Sequence, residues 1–343
     1  MRKCGMLHCP HVPAPGVFGR GIPSLRGPVP RAVPLVPAGR LLSANARGAR
    51  GGAATDRAAR RPRRVSPRRP VPHMALTAFQ RDVCRVLAGR RRAGGESYVA
   101  GGIALNVALA THRLSRDLDL FHDTTEAVAR SWDADRQLLE HTGYAVVSVR
   151  ERPGFVQATV SRGHDRLLVE WVHDSAYRFF PLVEHEELGL TLHPFDLATN
   201  KVLALIGRLE VRDWLDVIAC DERLQPLGYL AWAACGKDPG FSPLGVIDHA
   251  RRSSHYSTDE IASLAFDGSP PDPADLSRRW SRALDTALSL IAKLPADHAG
   301  KAVLTSNGEL FRGQPADLDQ GLASGDVVFH AGRLGGALPQ IKG

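Results

Sequence analysis

Two aspartates separated by one leucine, Asp117 and Asp119, are the residues of this sequence best suited to catalysis. Alternate residues of a β-strand face the same side, so both carboxylates project together while Leu118 and Leu120 enter the core. Their Cα atoms then lie roughly 6–7 Å apart, a distance from which the side chains can converge on Mg²⁺ ions. A solvated strand face is the alternative. The apolar neighbours favour the metal, because adjacent carboxylates repel each other without a cation.

A pair of glycines, Gly101 and Gly102, lies between a predicted strand at 97–100 and a predicted helix at 103–110. Glycine lets a phosphate approach the backbone, and the free N–H groups at a helix N-terminus favour an anion. By itself the pair indicates no more than a tight turn. Its value depends on the carboxylates that follow.

The combination of these parts is more specific than either one. A strand ending in two glycines, one helix and then S-x-D-x-D from Ser115 to Asp119 resembles the first motif of the DNA polymerase beta-like nucleotidyltransferase superfamily. Within it, GGIAL, RLSRDLDLF, Lys201 and the later RDWLD are similar to the AbiEii/AbiGii-type family, the toxins of type IV toxin–antitoxin systems. The resemblance covers roughly residues 95–220.

The resemblance implies further site residues. The family's fold has a third carboxylate on the strand beside D-x-D, and Glu170 is the one acid in the apolar run Leu167–Val172. It would bridge a metal or act as general base, although a half-exposed sheet would equally place it in solvent. Lys201 would contact a triphosphate. Asp213 is a weaker candidate, since ion pairs at a helix–helix junction explain it as well.

One position departs from the superfamily pattern. Ile103 stands where Ser or Thr usually follows the glycines to bond a phosphate. Ser115 is a partial substitute, or else it shapes the turn into the strand. The departure puts tight triphosphate binding in doubt more than the metal site.

The charge of +8 is unevenly distributed. Residues 1–73 contain 15 Lys and Arg but one acid, whereas residues 74–343 contain 29 basic and 35 acidic residues. A folded part with a balance of −6 excludes a global nucleic-acid footprint and leaves a local basic patch at Arg113, Arg116, Arg208 and Arg212. The isolated cysteines and the absence of an 18-residue apolar run predict a reducing, cytoplasmic setting, and the preference for Arg over Lys suggests a bacterial source.

The pattern along the chain predicts an α+β fold, a nucleotidyltransferase-like mixed sheet flanked by helices. Residues 1–73 are predicted to form a Pro- and Arg-rich disordered tail. This tail is either a basic arm, a transit peptide or a segment that precedes the true start of translation at Met74. Residues 74–195 form the core, 196–300 a helical domain and 301–343 a small β element. The sequence also predicts a hairpin at 155–172, Asp196 as a helix N-cap, an Arg212–Asp216 ion pair, a helix at 258–266 and a strand at 309–312.

The leading hypothesis is therefore an enzyme that uses Mg²⁺ to move a nucleoside monophosphate from an NTP to an acceptor hydroxyl. The resemblance implies RNA, tRNA in particular, as the acceptor and an antitoxin protein as a partner. Two alternatives stay open. One is a small acceptor such as an aminoglycoside-like antibiotic, which an acidic pocket suits; the other is a nucleotide-binding regulator without turnover, which Ile103 suggests.

Overall fold

The structure, a computed structural model, describes residues 76–253 and 256–341. The predicted tail at 1–73 and the start at Met74 lie outside the described residues. The strands are, in chain order, β1 Ser97–Val99, β2 Arg113–Leu114, β3 Asp117–His122, β4 Ala145–Arg152, β5 Phe155–Arg162, β6 Asp165–His173, β7 Tyr177–Arg178, β8 Val183–His185, β9 Gly189–Thr191, β10 Ala265–Phe266, β11 Lys301–Thr305, β12 Val327–Ala331 and β13 Arg333–Leu334. The α-helices are α1 Ala78–Gly94, α2 Gly101–Leu109, α3 Thr125–His141, α4 Pro194–Arg208, α5 Val211–Arg223, α6 Leu227–Ala234, α7 Pro243–Ala250, α8 Thr258–Ala262, α9 Pro273–Ile291 and α10 Pro315–Ser324.

The main sheet has the strand order β4-β5-β6-β3-β1-β9-β8. Strand β3 runs parallel to β6, β1 runs parallel to β9, and the remaining neighbours are antiparallel. This arrangement confirms the predicted mixed sheet flanked by helices. The predicted hairpin is also confirmed: β5 and β6 pair from Phe155–Val172 to Arg162–Asp165, around a turn at Gly163 and His164.

The alternation of residue types decides which face of the sheet is buried. In β3 and β5 every second residue is buried, and in β6 the same alternation covers residues 167–172. The buried face packs against α3, where the ring centroids of Trp171 and Trp132 lie 4.8 Å apart. The Nε1–H group of Trp171 also donates a hydrogen bond to the Asp135 carboxylate at 3.0 Å. The opposite face of the sheet therefore carries the polar side chains of these strands.

The segment after residue 193 forms a helical layer, in which α4 packs against α2, α5, α6 and α7. The predicted N-cap at Asp196 is wrong. His193 caps α4, and Asp196 lies inside the first turn, fully buried. Its carboxylate accepts hydrogen bonds from the backbone N–H groups of Phe179 and Phe180 at 2.9 and 3.0 Å, so it fastens another segment to the helix.

Two further predictions of local structure are wrong. The helix expected over 258–266 stops at Ala262, and Ala265–Phe266 pairs with β2 instead. The strand expected at 309–312 is reduced to a single bridge, Leu304–Leu310, on one edge of β11, whereas β12 pairs along the length of β11 on the other. Among the described helices, none is long and apolar enough to cross a bilayer.

Candidate active site

The three predicted carboxylates open into one cavity of about 600 Å³. Asp117 and Asp119 project from the same face of β3, as their spacing requires. Glu170 lies directly beside Asp119, since the two residues are register partners on the parallel strands β3 and β6. Strand pairing therefore brings together side chains that are about fifty positions apart in sequence.

Gly101 is held against Asp119. Its φ of +63° lies in the left-handed region that disfavours other residues, and a methyl group at this position would overlap with Asp119 Oδ2. The backbone N–H of Ala100 also donates to the Asp119 carbonyl at 3.0 Å. The glycine turn and the D-x-D strand thus form one packed unit, in which α2 begins at Gly101 rather than after the pair.

Gly102 faces Ser115 in the same way. A methyl group on Gly102 would lie 2.6 Å from Ser115 Oγ and 3.0 Å from an Arg113 guanidinium nitrogen. Ile103, by contrast, is fully buried in the core. The hydroxyl at this turn is therefore supplied by Ser115 from the segment between β2 and β3, and Ile103 has no access to a ligand.

The charge of Asp119 is costly in this position. Burial raises the pKa of Asp119 to about 7, Lys201 acts in the opposite direction, and the neighbouring carboxylates of Glu170 and Asp117 raise it further. Arg212 also lowers it. A cation stabilises a carboxylate whose charged form is disfavoured by burial and by neighbouring negative charges, and such a cation would bind in the cavity.

The carboxylates do not form a closed metal cage. Within residues 76–253 and 256–341, no three acidic, His or Cys side chains converge closely enough to hold a metal ion by themselves. The donors are nonetheless oxygens, and Asp117, Asp119 and Glu170 carry enough negative charge for a divalent cation. Mg²⁺ commonly binds one or two carboxylates and completes its shell with water and substrate phosphates, so the residues fit this ion.

Lys201 is the centre of a buried ion-pair network at the junction of α4 and α5. Its Nζ lies 2.9 Å from Asp213 and 3.0 Å from Asp216. Arg208 contacts Asp213 at 2.6 Å, and Arg113 donates a hydrogen bond to each carboxylate oxygen of Asp216 at 2.8 Å. Burial lowers the pKa of Lys201, but Asp216 and Asp213 raise it above its ordinary value. Asp213 thus forms ion pairs at the helix junction, the contacts that its structural role would require.

The predicted ion pair between Arg212 and Asp216 is wrong. Arg212 lies 2.6 Å from Glu210 and 3.9 Å from Asp117, because Asp216 faces the opposite way into the junction. Of the predicted basic patch, Arg113, Arg208 and Arg212 line the cavity. Arg116 is exposed and donates to the carbonyl of Ser263.

Several polar residues of the cavity region were not singled out from the sequence. Gln157 donates to Glu170 Oε1 at 2.6 Å. Counting back from the two-residue turn of the β5–β6 hairpin would have found this partner, since register alone pairs the two residues. Lys237 binds Asp196 and Asn200, each at 2.8 Å, and burial lowers its pKa. No local signal in the sequence marks Lys237, because it reaches the cavity through tertiary packing.

No model of a known protein family matches the chain, and no curated protein matches it. Among solved structures, a candidate nucleotidyltransferase from H. pylori is 15% identical, with a TM-score of 0.42, and the match covers 64% of this chain and 97% of that one. MenT4, a nucleotidyltransferase toxin from Mycobacterium tuberculosis H37Rv, is 16% identical with a TM-score of 0.39, over 64% of this chain and 83% of that one. The AbiEii/AbiGii-type resemblance is not confirmed by these matches and stays a prediction. The activity therefore has to be inferred from the cavity.

Proposed function

We propose that this chain is a metal-dependent nucleotidyltransferase. The observation that carries the proposal is the convergence of Asp117, Asp119 and Glu170 on a cavity that also holds the glycine turn of Gly101 and Gly102 at the N-terminus of α2. Carboxylates that bind Mg²⁺, next to a helix end that binds phosphate, are the two requirements of nucleotidyl transfer. Either part alone would suit many functions.

In this reaction the acceptor hydroxyl oxygen bonds to the α-phosphorus of an NTP. The bond from that phosphorus to the bridging oxygen breaks, pyrophosphate leaves with the electron pair, and the hydroxyl proton passes to Glu170. Asp117, Asp119 and Glu170 would hold Mg²⁺, which neutralises charge on the phosphates when bound. Gln157 holds one oxygen of Glu170 and so orients the carboxylate that receives the proton.

The triphosphate would lie over the start of α2. The N–H groups of that turn and the Ser115 hydroxyl offer neutral donors, which compensates for Ile103. Lys201 lines the cavity and has three N–H donors, of which two go to Asp213 and Asp216, so one donor is left for a phosphate. Because the junction holds its ammonium in place, Lys201 would bind phosphate as a fixed charge.

The acceptor and the biological role come from the sequence resemblance. The acceptor would be RNA, with tRNA as the first candidate. The biological role would be that of a toxin partnered by an antitoxin protein. A small polycationic acceptor is the second candidate, and it is favoured by Asp174, a further carboxylate in the cavity wall. The regulator hypothesis loses support, because the Ser115 hydroxyl stands at the turn where Ile103 offers none.

A direct assay separates these possibilities. The full chain is incubated with each labelled NTP and Mg²⁺, together with total tRNA or an aminoglycoside panel. We expect label in one acceptor, and loss of that label in Asp117→Asn. Asp133→Asn removes a carboxylate from an exposed position on α3, outside the cavity, and is the matched control. Transfer that survives in Asp117→Asn, or NTP binding without transfer to any acceptor, would refute the proposal.

A further inference from the structure

The cavity face of the sheet continues past the carboxylates toward the edge strand β4. Paired residues of neighbouring strands share a face, so the register defines rows across the sheet. One row runs from Asp119 to Glu170, then to Gln157 and finally to Arg150. It leads from the proposed metal ligands to a basic residue at the sheet edge.

The next row toward the end of β6 is apolar. It runs from Phe121 to Val172 and Phe155 and ends at Arg152. The first three residues are partly exposed and, with Arg152, line the cavity. Phe121 packs on the core, whereas Phe155 and Val172 lie outside the core cluster of the described residues. Two aromatic rings therefore flank a smaller side chain in a shallow trough of the cavity wall, and each ring keeps part of its surface exposed.

A β-bulge sets the position of the arginines. The pairing of β4 with β5 shifts between Ser148 and Arg150, which places Arg150 and Arg152 on the same face as Gln157 and Phe155. Both arginines are exposed, and within the described part of the chain neither forms an ion pair with a carboxylate. The Arg152 guanidinium lies 4.8 Å from the centre of the Phe155 ring. Its charge is thus available at the edge of the trough.

We propose that this surface, the acceptor track of Arg150, Arg152, Phe155, Val172 and Phe121, binds the 3′ end of single-stranded RNA. The inference rests on the proposed nucleotidyl transfer and specifies its acceptor. The terminal base stacks on Phe155, the two arginines bind backbone phosphates, and the terminal hydroxyl lies one row away.

The chemistry of the track favours an anionic, planar acceptor over a small polycation. Aromatic platforms beside unpaired arginines bind single strands without sequence preference, because every base has a π-face and every phosphate a charge. A polycation would be repelled by Arg150 and Arg152 at the edge where it must enter. The side of Asp119 opposite to this edge is occupied by the glycine turn of Gly101, where the triphosphate is proposed to lie. NTP and acceptor then approach from two sides.

Photo-crosslinking tests where the RNA lies. The full chain is irradiated with an unstructured RNA that carries 4-thiouridine at its 3′ end, and the crosslinked peptides are mapped. We expect crosslinks at residues 150–157, and their loss in Arg150→Ala/Arg152→Ala. Arg278→Ala/Arg282→Ala removes the same charge from exposed positions on α9 and is the matched control. Crosslinks confined to residues outside the track, or unchanged in the first double variant, would overturn the inference.

Kinetics distinguish the track from the reaction centre. In the transfer assay, Arg150→Ala/Arg152→Ala should raise KM for RNA about tenfold and weaken its salt dependence, with KM for NTP unchanged. Phe155→Ala should raise KM for RNA by roughly 5- to 100-fold, and Phe155→Tyr should restore it, because stacking needs the ring. An unchanged KM in both variants while Asp117→Asn abolishes transfer would refute the track alone. Mapped crosslinks on the track without any transfer would support the track and refute the proposed reaction.

Discussion

Replacement of Asp119 by asparagine should stabilise the metal-free protein at alkaline pH. The pKa of Asp119 is raised from 3.8 to about 7 in the folded state, first by burial. The folded protein therefore holds the proton more tightly than the unfolded chain. As a result the free energy of unfolding falls as pH rises from about 4 to about 7, and it changes no further above that. Asp119→Asn removes this loss.

The size of the effect follows from the shift. Three pKa units at 1.36 kcal/mol each set an upper limit of about 4 kcal/mol at pH 8, and relaxation around a partly exposed group reduces it to roughly 2–4 kcal/mol. Titrating groups far from Asp119 contribute equally to both proteins and cancel in the difference, whereas Glu170 and Asp117 also gain from the loss of the Asp119 charge and add to the stabilisation. The stabilisation should disappear at pH 4, where Asp119 is largely protonated.

Urea unfolding of both proteins in a chelator, at pH 4, 6 and 8, measures the difference. Addition of 10 mM Mg²⁺ at pH 8 should then stabilise the wild type but not Asp119→Asn, because a bound ion stabilises only the folded state that holds it. Asp174→Asn should behave as the wild type in the Mg²⁺ arm. A variant that is no more stable than the wild type at pH 8, with the same pH dependence, would show that the charge of Asp119 does not destabilise the folded protein.

Three further changes test the site. Gly101→Ala should lower transfer at least tenfold in single-turnover experiments, because the methyl group would displace the Asp119 carboxylate and alanine is strained at the φ of +63° that Gly101 adopts. Asp213→Ala should cost roughly 3 kcal/mol in urea unfolding, since it removes one of the two carboxylates that pair with buried Lys201 and the carboxylate that pairs with half-exposed Arg208; a cost below 1 kcal/mol would contradict the junction role. Gln157→Leu should lower kcat about tenfold with KM for NTP unchanged, because Glu170 loses its orienting donor, and an unchanged kcat would show that the contact is incidental.

Local patterns were sufficient where chemistry and structure share a short stretch of chain. The period of two in β3 placed Asp117 and Asp119 on one face, and the two-residue turn of the β5–β6 hairpin fixed its register around Glu170. These features depend on contacts between near neighbours in sequence, which alternation and turn chemistry encode directly. The shared face of Asp117 and Asp119 and the hairpin around Glu170 were accessible from the sequence for this reason. That Glu170 lies beside Asp119 was expected from the family resemblance alone, because β3 and β6 pair across about fifty positions.

Long-range pairing decided the rest. An ion pair at i,i+4 was expected for Arg212 and Asp216, but Asp216 is taken by Arg113, more than a hundred residues away, and by Lys201. Asp196 was expected to cap its own helix and instead binds two N–H groups of a distant loop. A buried carboxylate is stabilised by whichever donors the fold brings to it, and spacing along one helix does not specify them.

The D-x-D pair and its glycine turn were thus determined by the sequence itself. Only the tertiary structure showed why they belong together: the absence of a side chain at Gly101 makes room for the Asp119 carboxylate. Likewise, Ile103 departs from the superfamily pattern in sequence, yet in space the hydroxyl at the turn comes from Ser115. A motif records residue types along the chain, whereas a ligand meets the atoms that packing places within its reach.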